Sequence, residues 1–343
     1  MKSLTLLSLI VAGSAYSGVF ASGAASNAQI SQFNLGNVMF VGDSITHGVN
    51  SASYRWEMHK ILVDNGVLYN GVGYKSGHHS GGVSNGEIYG GVGFSNAHSS
   101  QASARAWEIA GVMRGTGGRF DFTNISNWLG LSQTDNKGGA YSGNVYSADT
   151  FFLLIGTNDL LSDNTAAGVT VEKVNNLLGE NLSGGDMKTI VDAMYQSNAN
   201  ANVTVFSIPS WTTHLNSNDA KVHGDVAAYN VKLGTWVENY NKTNGKKITY
   251  VDVNEGIIDV ASETPFFGCS SMFNKPGTDG LHPNAQGDLI IAGNAAKALG
   301  YAGRTAGQAR KAESDFSKHF ASFESVPVVA PKPCPISISS SQT

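Results

Sequence analysis

Four short runs dominate the apolar pattern of the chain: NVMFVG (37–42), TFFLLIG (150–156), NVTVFSIP (202–209) and KITYVDV (247–253). Each is nearly continuous in apolar and β-branched residues, the pattern of a strand covered on both faces of a parallel sheet. Segments with helical spacing lie between them. In SYRWEMHKILVDNG (53–66), Trp56, His59, Lys60 and Val63 recur at helical intervals, and Asn65-Gly66 supplies a C-terminal stop. KTIVDAMYQSN (188–198), DVAAYNVKLGTWVENYNK (225–242) and NAQGDLIIAGNAAKAL (284–299) are further helical candidates. The alternation predicts a three-layer α/β sandwich whose right-handed crossovers deliver functional groups to the C-terminal ends of the strands.

Residues 74–100 and 113–147 break this rhythm. Both are rich in Gly, Ser and Asn, show no periodicity, and are too long for ordinary connections, so they read as excursions around a site. GGVSNGEIYGGVGFSN (81–96) lacks the strand-to-helix setting and the Lys of a phosphate-binding loop. Trp107, Trp128, Tyr89 and Tyr141 lie in or near the excursions, where aromatic rings suit either stacking on sugars or core packing.

Composition narrows the classes. The 343 residues suffice for one large domain or two small ones, and 41% hydrophobic residues supply a core. A net charge of −4 gives no electrostatic footprint for nucleic acid. At the N-terminus, Lys2, the apolar run LTLLSLIVAG (4–13) and the small residues after it predict a signal peptide, residues 1–21, cut after Ala21. The apolar run is about half the ~20 residues that span a bilayer, so export without stable membrane insertion is expected. A catalytic domain over 30–305 and an extension over 306–343 follow, the Pro/Ser-rich end of the extension predicting disorder. Cys269 and Cys334 fit a disulfide or two thiols equally.

Ser44, in VGDSITHG, poses a choice. A Ser between a strand and a helix is a natural N-cap. The same position, with Gly42 allowing a tight turn and helix-start amides nearby, also suits a nucleophile whose oxyanion those amides stabilise. A nucleophilic hydroxyl needs a base. In TDGLHPNAQG (278–287), Asp279 and His282 stand three apart before a helix, so the carboxylate can hold one imidazole nitrogen while the other faces the serine. An Asx-turn with a loop His fits these residues too. In LLIGTNDLL (153–161), Asn158 follows a buried strand and can donate its amide to an oxyanion, or serve as a turn residue. Asp43 and Asp159 read as structural, Asp43 beneath the loop and Asp159 bracing its own loop or capping the next helix.

GDSIT (42–46), GTND (156–159) and DGLHP (279–283), in this order, resemble the blocks of the SGNH, or GDSL-type, hydrolases. That resemblance spans residues 37–299 and implies a flavodoxin-like α/β/α sandwich with a five-stranded parallel sheet. It implies acyl transfer by Ser44, Asp279 and His282, with no metal or organic cofactor. The implied oxyanion hole comprises the Ser44 N–H, the Asn158 amide and the N–H of a Gly, for which NAHSSQASARAWEIAG (96–111) offers Ser103. Ser is a departure there, workable if the backbone need not take a conformation reserved for Gly, and Gly82 is the alternative.

SYRWEMHKIL and YNGVGY further resemble segments of the carbohydrate O-acetylesterases. They imply a secreted serine esterase acting on acetyl or other short acyl esters of a glycan. A lipase, lysophospholipase or thioesterase uses the same catalytic set, and an inactive glycan-binding protein on the same scaffold is the alternative of another class. The oligomeric state stays open.

Overall fold

The computed structural model describes residues 34–301 except 50, 79–82, 113–123, 133–142, 162–168, 212–218, 256–280 and 284. Its strands are β1 (Asn34–Gly42), β2 (Leu68–Gly71), β3 (Lys75–Ser76), β4 (Ile88–Tyr89), β5 (Val92–Gly93), β6 (Ala97–Ser100), β7 (Thr150–Leu154), β8 (Asn202–Phe206) and β9 (Thr249–Val251). Three short helices, α1 (Ser44–His47), α3 (Ala106–Ile109) and α4 (Ile125–Trp128), are joined by α2 (Ser53–Asp64), α5 (Thr157–Leu161) and α6 (Val171–Leu178). The long helices of the second half are α7 (Gly185–Ser197), α8 (Asp219–Asn244) and α9 (Ala285–Ala298).

The central sheet is parallel at β1 with β2, β6 and β7, at β7 with β8, and at β8 with β9. Since β7 takes one edge of β1 along its length, β2 and β6 share the other. β2 pairs the early residues, Val38 with Gly71, and β6 pairs the last two, Gly42 with Ser100. The parallel part is therefore five positions wide, as expected. The sheet counts seven strands because one position is split and β3 adds an antiparallel edge to β6.

Strand β1 shows why an apolar run without alternation belongs here. Val38 and Phe40 face a cluster with Phe152, Phe206, Tyr54 and Met58 of α2, and Ile291 and Ala295 of α9. Met39 and Val41 face the opposite cluster, with Phe151, Leu153, Ile109, Leu177, Ile190 and Trp236. Successive side chains point to opposite faces and both faces are covered, so both parities must be apolar. Each such side chain contributes about 1.5–3 kcal/mol by leaving water. The result is three layers with α2 and α9 on one face and α3, α4, α6, α7 and α8 on the other.

Of the four aromatics considered for sugar stacking, Trp107 and Trp128 are buried, and Trp128 stacks on Tyr74 at 4.8 Å. Tyr89 is half-buried and donates to Asp64, and Tyr141 lies outside the described residues. Both tryptophans are packing residues. Among the described residues no helix is long and apolar enough to cross a membrane.

Candidate active site

Strand β1 ends at Gly42 against the Leu154 carbonyl of β7, and a Cβ on Gly42 would sit 2.3 Å from that oxygen and from Thr46 Oγ1. Only glycine lets the chain turn straight from the strand into α1. The N-cap of α1 is Asp43, whose Oδ1 accepts from the Ile45 amide at 3.0 Å. Ser44 is thus the first helical residue, and its hydroxyl is not needed for capping. The helix closes after one turn, with Gly48 in the left-handed region at φ 84°.

The Ser44 hydroxyl instead meets His282, with Nε2 2.8 Å from Oγ. The two residues are 238 positions apart. His282 lies three residues before α9, which packs on α2 in the cluster that also contains Ile45 of α1. Ser44 is buried to 5% exposure and His282 is half-buried, so the imidazole side of the pair is partly open to solvent. Asp279 lies outside the described residues, as do Gly82, Cys269, Cys334 and the predicted signal peptide and extension, residues 1–21 and 306–343.

Three adjacent parallel strands, β6, β1 and β7, end at this edge, and each is followed by a predicted site residue. Ser44 follows β1 and Asn158 follows β7. Ser103 follows β6 in a turn closed by the Ala104 amide on the Gln101 carbonyl at 3.0 Å. That turn is tied to β1 by Gln101 N–H on Gly42 O at 3.1 Å. It is tied to α5 twice. Asn158 Nδ2 donates to Ala104 O at 2.9 Å, and Asp159 Oδ2 accepts from Ala106 N–H at 2.8 Å. Asp159 therefore braces the neighbouring loop and the start of α3.

Ser103 is exposed and adopts φ 64°, one of three non-glycine residues in the left-handed region among the described residues. The position does take the conformation that glycine favours, at a cost of roughly 1 kcal/mol for a residue with a Cβ. Among the described residues, no group accepts the Ser103 or the Ser44 amide. The Ser100 amide, by contrast, is turned toward His98 Nδ1 at 3.3 Å.

Burial sets the local electrostatics. Asp43 is fully buried, and loss of solvent raises its pKa to about 6 against the opposing pull of the Ile45 amide, His282 and the Thr157 hydroxyl. Asp159 rises to about 8, through burial and then the nearby carboxylate of Asp186, while the Ala106 amide pulls it down. A carboxyl with that value is mostly protonated at neutral pH, which keeps negative charge away from the neighbouring Asn158.

A serine–imidazole contact at the C-terminal end of β1, an inner strand of a flavodoxin-like sheet, is the arrangement of a hydrolytic enzyme. The chain belongs to the GDSL-like lipase/acylhydrolase family, whose profile matches residues 38–294, and it is a carboxylic ester hydrolase. No curated protein matches the sequence significantly. Among solved structures it is similar to a family 3 carbohydrate esterase of Clostridium thermocellum, with TM-score 0.46, 20% identity, and 77% and 94% of the two chains covered. It is also similar to a carbohydrate esterase family 3 protein from Talaromyces cellulolyticus, with TM-score 0.49, 20% identity, and 77% and 95% covered. A third likeness is an acetyl esterase crystallised with acetate, with TM-score 0.47, 19% identity, and 77% and 95% covered. At these scores the neighbours carry no argument about substrate.

Proposed function

We propose that the protein is an exported serine esterase that removes acetyl or other short acyl groups from a carbohydrate. The observation that supports it most is the Ser44 Oγ–His282 Nε2 contact of 2.8 Å beside amides that no described group accepts. In this reading Nε2 takes the hydroxyl proton as Oγ attacks the ester carbonyl, giving a tetrahedral oxyanion. Asp279 holds Nδ1–H and supports the imidazolium. The Ser44 and Ser103 amides face the oxyanion, together with the Asn158 N–H not used on Ala104. His282 returns the proton to the leaving alcohol, and the same imidazole then activates water to release the acid from the acyl-serine.

The short acyl group and the glycan rest on the polar, Gly-, Ser- and Asn-rich excursions and on the resemblance of SYRWEMHKIL to acetylesterase sequences. Acetyl, butyryl and palmitoyl esters of one alcohol test the chain length, with acetyl expected to give the highest kcat/KM. A palmitoyl preference would replace this reading with a long-chain acylhydrolase. Acetate release from acetylated xylan, sialic acids and simple acetyl sugars tests the glycan. Export predicts a mature N-terminus at Ser22, and residues 30–305 form the proposed catalytic domain.

A further inference from the structure

We propose that Arg55 and His98 are positioning residues, which join the nucleophile helix and the oxyanion turn through one buried network. This rests on the reading of Ser44 and of the Ser103 turn given above.

Arg55 is 0% exposed, and among the described residues no carboxylate lies within ion-pair distance of it. Its partners are neutral acceptors from three separate segments. Nε donates to Thr46 O at 2.7 Å and Nη2 is 3.5 Å from His47 O, both at the C-terminal end of α1. Nη2 also donates to Gly77 O at 3.0 Å and approaches His78 Nδ1 at 3.4 Å. Nη1 donates to Asn96 Oδ1 at 2.6 Å and lies 3.4 Å from Asn96 O. Ser53 Oγ adds a further bond to Thr46 O at 3.0 Å. The short helix that begins at Ser44 is thus gripped at its far end.

The Gly77 carbonyl carries the connection onward, since it also accepts from His98 Nε2 at 3.0 Å. With Nε2 donating, Nδ1 of the neutral ring is an acceptor, and it receives Ser100 Oγ at 2.7 Å and the Ser100 amide at 3.3 Å. Burial, and then the Arg55 charge, keep His98 well below the ordinary histidine range, so the ring stays in this neutral form. Ser100 ends β6, and the next residue begins the turn that presents Ser103. One path therefore runs from α1 through Arg55, Gly77 and His98 to Ser100.

Stability alone is a poor reason for this arrangement. A buried guanidinium loses several kcal/mol of hydration, and buried ionic groups are often replaceable by apolar side chains without loss of stability. What only a planar fork with five N–H donors can do is hold three segments at fixed distances. Ser44 and the oxyanion donors come from different strands, and a misplacement of about 1 Å between reacting groups costs on the order of 100-fold in rate.

The test uses p-nitrophenyl acetate and the full-length enzyme, at a temperature where circular dichroism shows each variant fully folded. Arg55→Met is expected to lower kcat by about 10–100-fold with KM within about two-fold. Arg55→Lys keeps the charge but cannot bridge Thr46 and Gly77, so it should recover thermal stability without recovering kcat. Ser100→Ala removes one hydroxyl and is expected to lower kcat roughly 3–10-fold, about the value of one lost hydrogen bond. The double variant Arg55→Met/Ser100→Ala should lose less than the product of the single losses, because both cut one path. If Arg55→Met does not fold, Ser100→Ala decides. Unchanged kcat in the folded variants, with only the melting temperature lowered, would overturn the positioning role while Ser44→Ala still abolishes turnover. Turnover surviving in Ser44→Ala would overturn the site reading and this proposal together.

Discussion

Gly42→Ala tests whether the turn from β1 into α1 positions the nucleophile. The added Cβ would lie 2.3 Å from Leu154 O and 2.3 Å from Thr46 Oγ1, with Thr46 Cβ at 2.9 Å. Real Cβ contacts of this kind begin about an ångström farther out, so strand β1 or helix α1 must shift by a comparable amount. Overpacking of this sort costs about 1–3 kcal/mol, a fraction of the ~5–15 kcal/mol that holds a domain together. The variant should therefore fold, with a melting temperature lower by roughly 2–4 °C for each kcal/mol lost. Ser44 is two residues away and follows the shift, so its Oγ leaves the 2.8 Å contact with His282. A displacement near 1 Å predicts about a 100-fold loss of kcat, far more than the stability change implies. Urea denaturation and p-nitrophenyl acetate kinetics on the same preparation separate the two effects. A variant destabilised as expected but retaining more than half of the wild-type kcat would refute the claim that this close approach sets the nucleophile.

Asn158→Ala removes both the bond to Ala104 O and the proposed oxyanion donor; a stability loss of about 0.5–1.5 kcal/mol and a kcat loss of about 100–1,000-fold are expected. Equal, small effects on both would reduce Asn158 to a brace, as read by chemical denaturation and initial rates. Ser103→Gly relieves the φ of 64° and should keep activity within about two-fold while leaving the melting temperature equal or higher. Asp159 carries a pH signature. Its folded pKa is raised to about 8 from an ordinary value near 4, so the folded state holds a proton that the unfolded chain releases. The stability contributed by this group is full below about pH 4 and declines as pH rises toward 8. Asp159→Asn mimics the protonated form and keeps an acceptor for Ala106 N–H, so it should flatten that decline. The difference in melting temperature between pH 5 and pH 9 measures it. His78 acts in the opposite sense, because burial and the Arg55 charge lower its pKa to about 4. Its contribution is lost as pH falls from about 6.5 toward 4, and His78→Gln should weaken that acid-side loss.

The four apolar runs were legible as strands because a parallel strand covered on both sides must be apolar at every position. β1 ends where its run does, at Gly42, but the other three end earlier than their composition suggests. β7 stops at Leu154 and β8 at Phe206, and Gly156 turns away at φ 122°. β6 was hidden inside the first excursion, since Ala97–Ser100 is built of small and polar residues held by hydrogen bonds rather than by apolarity. Helix α6 carried a readable stripe in Val174, Leu177 and Leu178 but stood in a polar stretch. Of the candidate site, the motifs named Ser44, Asn158 and His282, yet spacing along the chain is silent about a contact across 238 residues. The sequence offers Ser44 as the cap and Asp43 only as a brace beneath the loop; the carboxylate accepting from Ile45 N–H makes Asp43 the cap instead. The jobs of Arg55 and His98 were invisible for a similar reason. Their partners are mostly backbone carbonyls, which leave no trace in side-chain identity.

The central claim is that Ser44 carries the acyl group. Incubation of the folded enzyme with a fluorophosphonate ester, followed by peptide mass spectrometry, tests it directly. One adduct is expected on the peptide containing Ser44, formed in step with loss of esterase activity, with no adduct in Ser44→Ala and much slower labelling in His282→Ala. Labelling at another serine, or full inhibition with Ser44 unmodified, would contradict it.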